Sequence, residues 1–136
     1  MNNSQNKSQI TEMERLFKEA IELRDIGNLE GASKLLLSMM KMYPDVPAIY
    51  LVSGGIYKNL EQLDEAVSCF RKAVQLEPKS ELASLGVFHC LWQKEEYDDA
   101  LHEMRRFLEA GGKSKDYDDI IQELREKNLL PKDFPF

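Results

Sequence analysis

Residues 47–80 read PAIYLVSGGIYKNLEQLDEAVSCFRKAVQLEPKS, and the reading of this stretch decides the fold. Pro47 opens it and Pro78 closes it, the two places where a helix tolerates proline. Between them the apolar and small residues recur at steps of three and four, the period of a helix burying one stripe. Leu51, Gly54 and Tyr57 mark one face of a first helix, Asn59-Leu60-Glu61-Gln62 interrupts it, and Ala66, Phe70 and Ala73 mark a second. The stretch is a helical hairpin.

Working outward, the same pattern returns at an offset of 34 residues: Ala32, Ala66 and Ala100; Leu29, Leu63 and Tyr97; Leu36, Phe70 and Met104. Upstream within each unit, Leu16, Tyr50 and Ser84 align, then Ala20, Gly54 and Phe88, then Leu23, Tyr57 and Leu91. A period of this length signals stacked supersecondary units, each too small to bury its own apolar face. Helices are predicted at about 11–26, 29–42, 47–60, 63–76, 81–94 and 97–110. Thr11 stands three residues before Glu14, a capping-box spacing for the first helix, and Gly27-Asn28 turns the first unit. Small residues let backbones approach while Tyr50, Tyr57 and Phe70 fill the adjoining holes. A seventh helix near 115–127, with Tyr117, Ile120, Ile121 and Leu124 on one face, is expected to cap the third unit. The expected organisation is a flexible polar N-terminus over 1–10, one domain over 11–127 with units at about 13–46, 47–80 and 81–112, and an apolar, proline-containing tail over 128–136.

The 136 residues suit one domain, and 18 Lys+Arg against 24 Asp+Glu leave a net charge of −6. That balance argues against nucleic acid and anionic membrane as partners. No apolar run reaches the roughly 18–20 residues that span a bilayer, and the polar N-terminus does not read as a secretion signal, so a cytoplasmic protein is expected. Cys69 and Cys90 both fall within apolar helical patterns, where reduced, packed thiols are the expectation.

The second unit, with Tyr50, Gly54, Tyr57, Ala66, Phe70, Ala73 and Pro78 in register, resembles the tetratricopeptide repeat (TPR) family. The first unit keeps Leu16, Ala20, Leu23, Ala32, Leu36 and Pro44 but has Met39 for a small residue, and the third departs at Ser84, Phe88 and Phe107. The resemblance implies an all-α, right-handed α-solenoid of three helix-turn-helix units plus a capping helix. Its concave surface would be lined by the first helix of each unit. Mapped here, that wall holds Phe17, Ile21, Arg24, Leu51, Lys58, Asn59, Leu85, His89 and Trp92 as candidate partner-binding residues. The members that clamp acidic chaperone tails use Lys, Asn and Arg at positions occupied here by Phe17, Ile21, Val52, Leu82 and Gly86, so that clamp is not expected.

Other candidate chemistry is thin. His89 and Cys90 are adjacent on a helix and point about 100° apart, so they do not share a contact. His102 is read as solvated. The histidines and cysteines lack metal-ligand spacing, Gly54-Gly55 and Gly111-Gly112 lack the strand and lysine of a phosphate loop, and no metal, cofactor or enzymatic activity is expected. Glu95, Glu96, Asp98 and Asp99 form the densest acidic run, read either as a solvated turn or as a patch that meets a basic partner.

The expectation is a non-enzymatic interaction module, adaptor or chaperone-like, that holds a segment of another protein in an apolar concave groove. A second copy, giving a homodimer through the groove or the tail, or the chain's own Leu129–Phe136 segment are the other occupants considered. The alternative reading is an immunity or inhibitor protein that neutralises a basic toxin through the acidic run.

Overall fold

The computed structural model describes the backbone of residues 3–136 and the side chains of Lys7 and of residues 11–136. Seven helices, and no strands, are found among the described residues: α1 (Asn3–Asp25), α2 (Leu29–Met42), α3 (Pro47–Asn59), α4 (Leu63–Leu76), α5 (Glu81–Gln93), α6 (Tyr97–Glu109) and α7 (Lys115–Glu126). Consecutive helices pack as antiparallel pairs, and the pairs stack into a right-handed solenoid that α7 caps.

The first helix of each unit ends by one repeated device. Gly27, Glu61 and Glu95, spaced by the 34-residue period, all take the left-handed conformation, with φ of 87°, 59° and 63°. In each case the next residue's amide donates back to a carbonyl one turn earlier: Asn28 to Leu23, Gln62 to Tyr57 and Glu96 to Leu91, each at 2.9 Å. This is the Schellman arrangement, which satisfies carbonyls that a helix end leaves unpaired. The second helices of the first two units stop before Pro44 and Pro78, and α6 stops at Gly111, whose φ is 93°. Asn28, Ser80 and Ser114 cap the starts of α2, α5 and α7 through their side chains.

The first helix begins earlier than the expected residue 11. For Met1 and Asn2 the expected flexible segment lies outside the described residues, but the backbone is helical from Asn3. Thr11 is not an N-cap: its Oγ1 donates to the carbonyl of Lys7 at 2.7 Å, inside a helix that continues upstream.

The core falls into two main clusters. Ala20, Ala32, Leu36, Met39, Ile49 and Ile56 close the first unit against α3, whereas Ala66, Phe70, Phe88, Leu91, Met104 and Phe107 belong to a larger cluster that runs on to Tyr117, Ile121 and Leu124 of α7. Tyr57 packs on the larger cluster, and Tyr50 sits with Ala73 and Ala83 between the two, its hydroxyl donating to the Pro44 carbonyl at 2.8 Å. Phe70 wedges between α3 and α5. A Cβ on Gly54 would lie 2.8 Å from its ring, and one on Gly86 closer still. The tail does not continue as a helix; Leu130 and Phe134 fold back onto the larger cluster.

Candidate functional site

The side chains of α1, α3 and α5, the helices expected to line the concave wall, divide by burial. In α1, Ala20 is fully buried while Phe17 and Ile21 remain half-exposed. In α3, Ile49, Tyr50, Ser53, Gly54 and Ile56 are buried, whereas Leu51, Val52, Lys58 and the exposed Asn59 are left over. A helix that contributes one stripe to each of two neighbours still has a third face to spare.

At the centre of that spare face stands Gly55. A Cβ there would meet nothing within 4 Å, in contrast to Gly54 next to it, which Phe70 obliges to stay small. Leu51 and Val52 lie one turn before Gly55 and Lys58 and Asn59 one turn after it, the spacings that share a helix face. Of the two neighbouring glycines, only Gly54 packs against another side chain.

The third unit presents the wall differently. Leu85, expected on it, is buried at 8% exposure, and Gly86 faces the Phe70 ring. Leu82 and His89 are the exposed residues of α5 on either side. Ser84 and Phe88 occupy the positions held by Tyr50 and Gly54 in the second unit, so the small position on α5 moves to Gly86 and the wall residues move with it. Trp92 is half-buried, stacked on Phe88 with ring centroids 5.5 Å apart and meeting Tyr97 edge-on at 4.7 Å. Leu51, Leu85 and Trp92 share the larger cluster, while Phe17 packs on the first.

The charges on the wall are sparse. Arg24 is held by its neighbour Asp25, with Nη2 3.0 Å from Oδ1. Lys58 has no carboxylate within 4.0 Å among the described residues. Desolvation pushes the His89 imidazole below its ordinary pKa, Lys58 pushes it the same way, and Asp116 at the start of α7 opposes both. The two larger effects favour the neutral imidazole.

The acidic run is exposed throughout. Lys94 bridges Glu96, at 3.2 Å, and Asp64 of α4. His102 is exposed on α6. Both cysteines are free and buried, and burial with Glu65 nearby pushes the Cys69 thiol up to about 11, so neither thiol is placed for nucleophilic work. Among the described residues no group of three or more His, Cys, Asp or Glu is placed to hold a metal ion, and no helix is long and apolar enough to cross a membrane.

One polar cluster escaped the sequence reading. Ser84 Oγ donates to Glu103 Oε2 at 2.7 Å and lies 2.7 Å from the Tyr117 hydroxyl. Arg106 grips the same carboxylate with Nη2 at 2.6 Å and Nε at 2.8 Å, and its Nη1 donates to the Pro78 carbonyl at 3.1 Å. Ser84, Glu103 and Tyr117 are buried and Arg106 partly so, and together they join α5, α6, α7 and the loop between units; they are a structural tie rather than a reactive centre.

Residues 47–80 match the family model for the tetratricopeptide repeat. No curated protein matches the chain in sequence. Among solved structures, the type III secretion translocator chaperone SycD of Yersinia enterocolitica superimposes with a TM-score of 0.73 at 17% identity, over 87% of this chain and 86% of that one. SycD in complex with a peptide of the translocator YopD gives 0.71 at 17% identity, over 85% and 88%. MamA from Desulfovibrio magneticus RS-1 gives 0.66 at 21% identity over 73% of this chain, which spans 56% of the MamA chain. At these identities the likeness is one of fold.

Proposed function

We propose that this chain, a solenoid with a tetratricopeptide repeat at residues 47–80, is a non-catalytic module that holds a segment of another protein against the concave face of α1, α3 and α5. The observation that carries the reading is Gly55. A glycine inside a helix costs about 0.5–1 kcal/mol relative to alanine, and no contact within the chain requires this one. A bare stretch of helix backbone ringed by Leu51, Val52, Lys58 and Asn59 is what a bound polypeptide needs in order to approach closely. Phe17 and Ile21 extend the apolar strip onto α1, and Leu82 and His89 onto α5. Apolar contact supplies the area, while Lys58 and His89 fix register through hydrogen bonds and charge. The SycD complex, in which a chain of this fold is seen with a peptide of its translocator, supports the same mode of use, adaptor or chaperone-like.

The test selects peptides from a displayed random library on the full chain and measures their affinity for variants. Gly55→Phe places a ring where a Cβ meets nothing within 4 Å and is expected to weaken the selected peptides at least tenfold, as is Ile21→Glu. Selected peptides that bind Gly55→Phe and Ile21→Glu as tightly as the parent would sink the reading.

A further inference from the structure

A cavity of about 470 Å³ opens where α5 ends, α6 begins and the chain leaves α7. Trp92, Tyr97 and Leu101 form one side and Leu129, Leu130 and Pro131 the other, with the carboxylate of Asp98 on its border. Its volume is in the range of sites that take an organic ligand or a pair of bulky side chains. Two of its apolar residues are left in solvent by the fold itself: Tyr97 is 45% exposed and Leu129 55%. On its floor Trp92 stacks on Phe88 and meets the Tyr97 ring edge-on.

Two further facts specify what fits. Asp98, Leu101 and Pro131 also border a second cavity of about 220 Å³, closed by His102, Arg105, Asp133 and Phe134, so the two form one trench between α6 and the tail. A trench suits an extended chain better than a compact small molecule. The surrounding charge is negative and only partly neutralised. Lys94 is taken up by Asp64 and Glu96, and Arg105 by Glu109 at 2.8 Å, while Glu95, Asp98 and Asp99 have no cation within 4.0 Å among the described residues.

We propose that this trench, which draws Trp92 away from the wall it was expected to line, is a second docking site beside the concave face, for an extended partner segment in which a bulky apolar side chain is flanked by Lys or Arg. The apolar side chain enters between Trp92 and Leu129, and the flanking cations lie against Asp98, Asp99 and Glu95. Desolvated apolar area supplies the affinity, and the carboxylates select against acidic segments and speed the encounter.

Trp92 is the sole tryptophan, so its emission reports on the site directly. The probe is the synthetic peptide acetyl-Gly-Lys-Leu-Lys-Phe-Lys-Gly-amide, with a control in which every Lys is Glu. Titrated into the full chain, the lysine peptide is expected to shift the emission saturably and the glutamate peptide to leave it unchanged. Raising salt from roughly 50 mM to roughly 0.5 M should weaken the lysine peptide several-fold, since exposed charges are screened over such a range. Leu129→Glu and Asp98→Asn each should weaken it at least tenfold, and both change exposed side chains, with circular dichroism checking the fold. Gly55→Phe should bind it as the parent does, which separates this site from the concave face. The proposal is overturned by equal response to the two peptides, by undiminished binding in Leu129→Glu, or by loss of the response in Gly55→Phe. A concentration-dependent dimer in sedimentation that Leu129→Glu abolishes would also overturn it, assigning the trench to a second copy.

Discussion

The hydroxyl oxygens of Ser84 and Tyr117 lie 2.7 Å apart with both residues fully buried, and the contact fastens α7 to α5 across the end of the third unit. Ser84 has one proton and spends it on Glu103 Oε2, so the proton between the two hydroxyls belongs to Tyr117. Tyr117→Phe then removes a donor while leaving Ser84 bonded to Glu103, at a cost of about 1 kcal/mol. Ser84→Ala leaves a buried phenol without its acceptor and a carboxylate short of one donor, at about 2 kcal/mol. Because each change removes the same bond, the double variant should lose less than the sum, by roughly 0.5 kcal/mol or more in a urea-unfolding cycle. Strict additivity would mean that the hydroxyls do not interact.

The same phenol predicts an alkaline transition. Burial is the main cause that holds the Tyr117 pKa above its ordinary 10.0, with Glu103 adding to it and the charge on Arg106 opposing. Below pH 10 both folded and unfolded chains keep the proton and stability does not change with pH on this account. Above it the unfolded chain releases a proton that the folded chain retains, so stability falls as pH rises toward the folded value. Unfolding free energy measured between about pH 9 and 11 should decline more steeply for the parent than for Tyr117→Phe. Parallel declines would show that the phenol titrates alike in both states.

Glu61 and Glu95 hold the conformation that Gly27 adopts at the equivalent position of the first unit, and a side chain in that region costs about 1 kcal/mol or slightly more. Both are exposed, and their carboxylates take part in no ion pair among the described residues. Glu61→Gly and Glu95→Gly are each expected to stabilise by about 0.5–1 kcal/mol, read as a rise in Tm of a few degrees. Unchanged or lowered Tm would show that the glutamates contribute something the geometry does not reveal.

Those turns also show what the sequence made legible. Period and small-residue spacing placed the six repeat helices and α7 within a residue or two, apart from the start of α1, because each is defined by local signals: prolines, capping residues and a stripe at helical spacing. Thr11 misled because a capping-box pair reads the same whether or not the helix continues upstream, and the Lys7 carbonyl takes the hydroxyl instead. The tie through Ser84, Glu103 and Tyr117 was not legible. Its members are 19 and 14 residues apart along the chain and lie on three helices, and Ser84 looked like a defect at an aromatic position until Tyr117 was seen to reach it. In α3, Leu51, Val52, Lys58 and Asn59 stay at least partly exposed, but Leu85 on α5 is buried, and there Gly86, rather than position 88, meets the Phe70 ring from α4.

Gly54 and Gly55 put the division between packing and binding to its sharpest test, because they are neighbours on one helix. A methyl on Gly54 would stand 2.8 Å from the Phe70 ring, which is itself pressed from the other side by Gly86 and has no room to withdraw. Gly54→Ala should therefore destabilise, by about 1–3 kcal/mol, as overpacking does. A methyl on Gly55 meets open space on a helix whose backbone already suits alanine, so Gly55→Ala should stabilise by about 0.5–1 kcal/mol. Thermal unfolding of the two variants reads the sign directly. If both destabilise, Gly55 has a structural duty and the concave-face reading loses its main support; if Gly55→Ala is more stable yet binds selected peptides less tightly, the glycine is there for the ligand.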